Sequence, residues 1–210
     1  SQDDHVHDHE IGQLSNTAVR SSGLQTGLSL ITDNGYWGVS FHNFDRKYGI
    51  PGHSHLEHDE HDEHDDHDEH DDHDEHEDHR VWIDLDKKMV QLRGLHRFDG
   101  GFFTQLKTHY SYTDYQHIEL DNGDPSTTYS NEGHQWRLEL SHQHRFGFEG
   151  VWGIDWSTSD FSALGEEAYI LPATTDKIGI FALEERQMGQ LHWELGLRAD
   201  HQKISTLLFE

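Results

Sequence analysis

Between residues 146 and 156 the chain reads Phe146, Phe148, Gly150, Trp152, Ile154 and Trp156 at every second position, with Gly147, Glu149, Val151, Gly153 and Asp155 between them. A period of two places successive side chains on opposite faces of an extended strand, so this stretch has one apolar face and one small or polar face. Leu191, Trp193, Leu195, Leu197 and Ala199 repeat the pattern against Gln190, His192, Glu194, Gly196, Arg198 and Asp200. The same period predicts about eight strands, near 20–32, 35–48, 80–97, 102–120, 129–145, 147–162, 177–188 and 190–204. Several are long against the five or six residues typical of globular strands, and strands this long suit a tilted barrel wall.

The predicted connections alternate in length. Asp33-Asn34-Gly35, Phe98 to Gly101, Arg145-Phe146-Gly147 and Gly189-Gln190 are tight, whereas 49–79, 121–128 and 163–176 are expected to be long. In an up-and-down meander alternate connections fall at alternate ends, so one end carries short turns and the other long loops. No apolar run approaches the length of a transmembrane helix, but a membrane β-strand needs only about 9–11 residues with one apolar face. The fold expected is all-β: an antiparallel up-and-down transmembrane β-barrel segment. The chain begins in a loop and ends just past a strand, which suggests part of a larger barrel.

Residues 57–79 contain only histidine and acid, with histidines at His58, His61, His64, His67, His70, His73, His76 and His79 and acids in every gap. His53 and His55 precede them. With no apolar residue to bury, the tract cannot fold alone. Of the net charge of −26, fifteen units come from tract acids, leaving −11 for the rest of the chain. Neutral imidazole and carboxylate oxygen are the side-chain donors that bind borderline divalent metals, and a merely solubilising loop needs no histidine every third residue. Interleaved imidazole argues against calcium and for zinc or its transition-metal neighbours, without choosing among them. There is no cysteine, which rules out disulfides and thiolate ligands. The acidic balance makes nucleic acid an unsuitable partner.

Alternation of ends also groups the other candidate ligands. The tract, the 121–128 and 163–176 connections and the N-terminal Asp3, Asp4, His5, His7, Asp8, His9 and Glu10 all fall at the long-loop end. Near that end, His117 and Glu119 share one strand face and Asp114 lies on the other, while Glu166 and Glu167 follow Gly165 in the adjacent connection. An ordinary polar strand end explains Asp114, His117 and Glu119 about as well as coordination does, and a plain acidic turn explains Glu166 and Glu167 somewhat better. His42 has the parity of Tyr36, Gly38 and Ser40, that of a barrel interior. No nucleophile elbow, phosphate-binding glycine loop or His-Glu-x-x-His motif is present, so no enzymatic activity is expected.

The chain resembles the zinc-uptake branch of the TonB-dependent outer-membrane receptors. The resemblance is carried by Ile11-Gly12-Gln13-Leu14-Ser15-Asn16-Thr17, Tyr48-Gly49-Ile50-Pro51-Gly52-His53, Tyr112-Thr113-Asp114-Tyr115-Gln116-His117-Ile118-Glu119 and Asp160-Phe161-Ser162-Ala163-Leu164-Gly165-Glu166-Glu167-Ala168, in the family's order. It implies residues 1–210 as an internal part of a 22-stranded receptor barrel, with 49–79 an extracellular metal-binding loop. It further implies an outer-membrane location, lipid around the wall, a TonB complex as energy source and zinc as the captured ion. The rival readings are a soluble secreted or periplasmic zinc scavenger, and a receptor fragment with no transport role of its own.

The tract is expected to bind several zinc ions weakly, since three or four donors can be recruited from almost any short stretch of it. Deleting residues 53–79 should remove most of the zinc stoichiometry measured by calorimetry or equilibrium dialysis, and an unchanged count would overturn the assignment. Protonated imidazole cannot ligate, so binding should fall as the pH drops from about 7.5 to about 5.

Overall fold

The computed structural model describes residues 16–51, 80–145, 147–165 and 168–206. Eight strands follow one another in an antiparallel meander: β1 Val19–Thr32, β2 Gly35–Gly49, β3 Val81–Arg97, β4 Phe103–Asp121, β5 Asp124–Arg145, β6 Phe148–Gly165, β7 Ala173–Met188 and β8 Leu191–Thr206. Each pairs with its neighbours in sequence, and β1 and β8 are the two edges of an open sheet. Every predicted strand is present, most within one or two residues of its expected bounds.

One expected loop is not a loop. Asn122 and Gly123 close β4 onto β5 in a two-residue turn, both with positive φ (51° and 98°), and Asp121 pairs with Asp124. Two successive positive φ values give a turn whose twist matches the strands it joins, and Asn-Gly is the pair that adopts it most cheaply. Residues 124–128 belong to β5, so the 121–128 segment offers no flexible metal-binding loop. The connection expected over 163–176 shrinks to 166–172 because β6 and β7 both run on.

The register sorts side chains cleanly onto two faces. Leu140, Trp152, Ala182 and Leu197 lie on one line across β5 to β8, followed by Leu138, Ile154, Ile180 and Ala199. Trp37, Val39 and Phe41 of β2 and Val90 and Leu92 of β3 continue this apolar face. It is open to the surroundings: Ile180 is 58% and Leu197 67% exposed. Toward the end where β2 hands over to β3, the same face turns polar, with Asp86, Asp114, Glu132 and Asp160 on the four strands from β3 to β6. A band of apolar residues that stops partway along strands of 14 to 22 residues is what a wall longer than a bilayer requires.

The opposite face is polar. Arg137 Nη1 meets Asp155 at 3.0 Å, Arg198 Nη1 meets the same carboxylate at 2.7 Å, and Arg198 Nη2 meets Asp200 at 2.7 Å. Both guanidiniums lie over the Phe181 ring, 4.5 and 5.7 Å from its centre. Phe181 in turn covers Gly153, where a Cβ would come within 2.0 Å of the ring. The sequence alone suggests that Gly153 and Asp155 tolerate change, being the polar-face neighbours of Trp152 and Ile154. The packing corrects this, since any side chain at Gly153 displaces Phe181 and loss of Asp155 leaves two arginines without their shared anion. The buried residues Val81, Ile83, Ala163 and Thr127 sit on this polar face at the end where the tract departs.

Arginine at Ile154 or Trp156 should therefore destabilise insertion into lipid by about 2–4 kcal/mol at mid-wall, and arginine at Trp152, nearer the short-turn end, by less. Ser157→Ala, on the polar face one residue from Trp156, should cost well under about 1 kcal/mol. Refolding titrations in bilayers measure both, and equal tolerance of the two faces would argue against a lipid-facing wall.

Candidate functional site: the outer rim

The long connections leave the sheet from one rim, and the backbone there is pinned. Asn16, held at φ 58°, donates from Nδ2 to Ile50 O (3.0 Å) and to Val81 O (2.7 Å). It thus ties the last residues before the tract to the first strand residue after it. Ile50 N donates to Val81 O at 3.0 Å, and Gly49 N to Ala18 O at 3.1 Å. Gly49 has no room for a side chain, because a Cβ would fall 2.2 Å from Asn16 Oδ1. The returning end is held from the other side: Arg80 N donates to Asn122 Oδ1 (3.0 Å) and Asn122 N to Arg80 O (3.1 Å). Residues 50 and 80 are therefore fixed points, at the end of β2 and the start of β3, two strands and one strand from β4.

His117 and Glu119 lie on the polar face of β4 beside these fixed points. His117 is in register with Leu85 on one side and Tyr129 on the other; Glu119 is in register with Ile83 and Thr127. The imidazole stacks on Tyr129 with centroids 4.5 Å apart and planes 17° from parallel. Its Nδ1 is 3.0 Å from the Tyr115 hydroxyl. A ring held flat on one side and hydrogen-bonded at Nδ1 has its orientation set; with Nδ1 as the donor to the Tyr115 oxygen, Nε2 would carry the lone pair that a metal ion needs. Thr127 is in register with Gly165, so the connection carrying Glu166 and Glu167 leaves from the same line as Glu119, two strands away.

Asp114 faces the other way, as its parity predicts. It lies on the apolar-side face in line with Glu132 and Asp160, where Tyr112 donates to Glu132 (2.9 Å) and Thr174 to Asp160 (2.6 Å). Asp114 therefore cannot join His117 and Glu119 in one site without a break in the strand. His42 is on the polar face, its Nε2 3.2 Å from Ser40 Oγ. Among the described residues no three His, Asp or Glu side chains converge on a point that would hold a metal ion. His53, His55, the tract histidines His58 to His79, and Glu166 and Glu167 lie outside the described residues, as does the N-terminal group Asp3 to Glu10.

Two features of this rim escape a motif search. Asn16 and Asn122 act as clamps through amide groups with no spacing signature, although the Asn-Gly pair at 122–123 does advertise its turn. Tyr115 and Tyr129 hold His117, and only strand register brings Tyr129 beside it.

The rim, the two-faced wall and the meander agree with the family comparison. The model for "TonB dependent receptor-like, beta-barrel" matches residues 12–207, nearly the whole chain. Receptors of this family reside in the outer membrane, are surrounded by its lipid, work with TonB and act as transporters, and the soluble reading falls away. The chain belongs to the TonB-dependent receptor β-barrel family.

Proposed function

We propose that this region forms the metal-capturing wall of an outer-membrane receptor for zinc or a closely related divalent transition metal. The tract concentrates the ion at the cell surface, and a better-ordered site at the rim takes it inward. The observation that carries the reading is the line Ile83, Glu119, Thr127, Gly165, with His117 one inward-facing position further along β4. It puts an oriented imidazole and a carboxylate between the strand that returns from the tract and the strand that leads into Glu166 and Glu167. Glu119 and one of those glutamates would complete a set of nitrogen and oxygen donors suited to zinc. Zinc is favoured over copper by the resemblance to zinc receptors; by intrinsic affinity copper would bind the same donors more tightly.

The tract and the rim site have separable consequences. In the full-length receptor, deleting residues 53–79 should reduce uptake mainly when zinc is scarce, because it removes local concentration and leaves the pathway intact. His117→Ala combined with Glu119→Ala should reduce uptake by about tenfold or more at both scarce and moderate zinc, the loss expected for two ligands of a tight site. Zinc-dependent uptake at two concentrations reads the difference. Wild-type uptake by the double variant at both would remove His117 and Glu119 from the pathway while leaving the tract's role standing.

A further inference from the structure

At the end of the short turns the apolar face acquires a built polar feature. Phe102, His142 and Trp152 pack together, with His142 stacked on Phe102 at 4.8 Å and 5.1 Å from Trp152. Glu184 of β7 lies against this cluster: Trp152 Nε1 donates to Glu184 Oε1 at 2.8 Å, and His142 Nε2 is 3.1 Å from the same oxygen. The His142 side chain is 3% exposed and that of Glu184 26%. Glu184 Oε2 lies over Gly150, where a Cβ would come to 3.0 Å from it. Two residues along β7, Arg186 shares the same face, in register with Trp193 and with its guanidinium 5.0 Å from the Phe148 ring.

A carboxylate on a lipid-facing wall is costly unless it is paired, and such groups mark functional sites. Among the described strand residues, Glu184 is the one carboxylate on this half of the lipid-facing side. It lies near the short-turn end of β7, level with Leu195 and flanked by Trp152, Phe148 and Trp193, aromatic rings of the kind that gird a barrel wall at the membrane interface, so it lies at headgroup depth. Glu184 and Arg186 are successive side chains on one face, about 6.6 Å apart along the strand. Opposite charges at that spacing, with an indole beside the anion, match a zwitterionic headgroup.

We propose that Glu184, Arg186 and Trp152 bind a phospholipid headgroup that carries a phosphate and a primary ammonium, in the leaflet at the short-turn end. Arg186 takes the phosphate through its guanidinium fork. Glu184 accepts from the ammonium N–H groups, and the Trp152 ring faces the cation. His142 is a positioning residue that fixes the Glu184 carboxylate. A quaternary ammonium has no N–H to donate, so a choline headgroup lacks the bond to Glu184, and a glycerol headgroup lacks the cation altogether.

The test is lipid retention by the full-length receptor in native mass spectrometry, with phosphatidylethanolamine, phosphatidylcholine and phosphatidylglycerol of identical acyl chains. The wild type should retain the ethanolamine lipid about fivefold more than the choline lipid, the order expected for one charge-assisted hydrogen bond at a part-exposed site. Glu184→Gln should erase that preference. Arg186→Gln, which leaves the aromatic cluster and its hydrogen bonds intact, should lower retention of all three lipids. Lys203→Gln, at the other end of the wall, should change neither. Equal retention of ethanolamine and choline lipids by the wild type, or wild-type retention by Arg186→Gln, would overturn the proposal. So would an undiminished ethanolamine preference in a Glu184→Gln protein whose heat-modifiable gel mobility shows it folded.

Discussion

Everything in this wall depends on an unbroken antiparallel backbone ladder. In hydrocarbon no water is available to satisfy a stray amide, so each strand must pair along its whole buried length. From β2 to β3 the pairing runs without interruption from Gly35 opposite His96 to Gly49 opposite Trp82. Because side chains alternate, a slip of one residue anywhere would exchange the two faces of a strand. On β6 it would turn Asp155 toward lipid and Trp152, Ile154 and Trp156 inward. On β5 it would strip Arg137 from its partners. The ladder therefore fixes more than shape: it decides which groups meet lipid and which meet the interior.

That constraint also explains where irregularity is allowed. The register shifts in β4–β5 and β5–β6 fall between Phe103 and Gln105, between Glu119 and Leu120, and between His142 and Arg145, all close to strand ends. The shift near Glu119 accommodates Pro125, which cannot donate to a ladder and is tolerated at such bulges. The shift at His142 adjoins the aromatic cluster that packs against Glu184. Close contacts elsewhere are met by glycine. Trp37 lies flat over Gly94, where a Cβ would come 2.5 Å from the ring, and Phe181 lies over Gly153. Large rings on one strand are seated by missing side chains on the next, which keeps a thin sheet well packed although almost nothing in it is fully buried.

The strands were legible in the sequence because the membrane imposes a strict period of two on their middles. Trp152, Ile154 and Trp156, or Leu195, Leu197 and Ala199, admit no other reading. Legibility fails where the wall rises past the bilayer. There both faces meet water or interior, so Thr174, Thr175 and Asp176 of β7 and Ser126, Thr127 and Thr128 of β5 carry no alternation, and both strands start earlier than the pattern suggests. The Asn122-Gly123 pair is a local turn signal that reading 121–128 as one long connection passes over. At the rim, parity correctly separates Asp114 from His117 and Glu119. It is silent on what holds the imidazole, because Tyr129 is twelve residues away and meets His117 only through cross-strand register.

The proposed division of labour at the rim follows from how differently its parts present their donors. A string of alternating imidazoles and carboxylates has many near-equivalent ways to surround an ion, so it gains local concentration and little discrimination. Selection and commitment need donors whose geometry is set before the ion arrives, since a site loose by about 1 Å gives up most of its preference. His117 has that character: its plane is fixed by Tyr129, its rotation by Tyr115, and its place by a ladder that cannot slip without inverting a lipid-facing wall. Asn16 and Asn122 extend the same order to the backbone at residues 50 and 80, so the tract is joined to the sheet two strands from that imidazole at one end and one strand from it at the other. The proposed collector would thus be joined at residues 50 and 80 to backbone held by Asn16 and Asn122, which is the arrangement a handover from many weak sites to one strong site calls for.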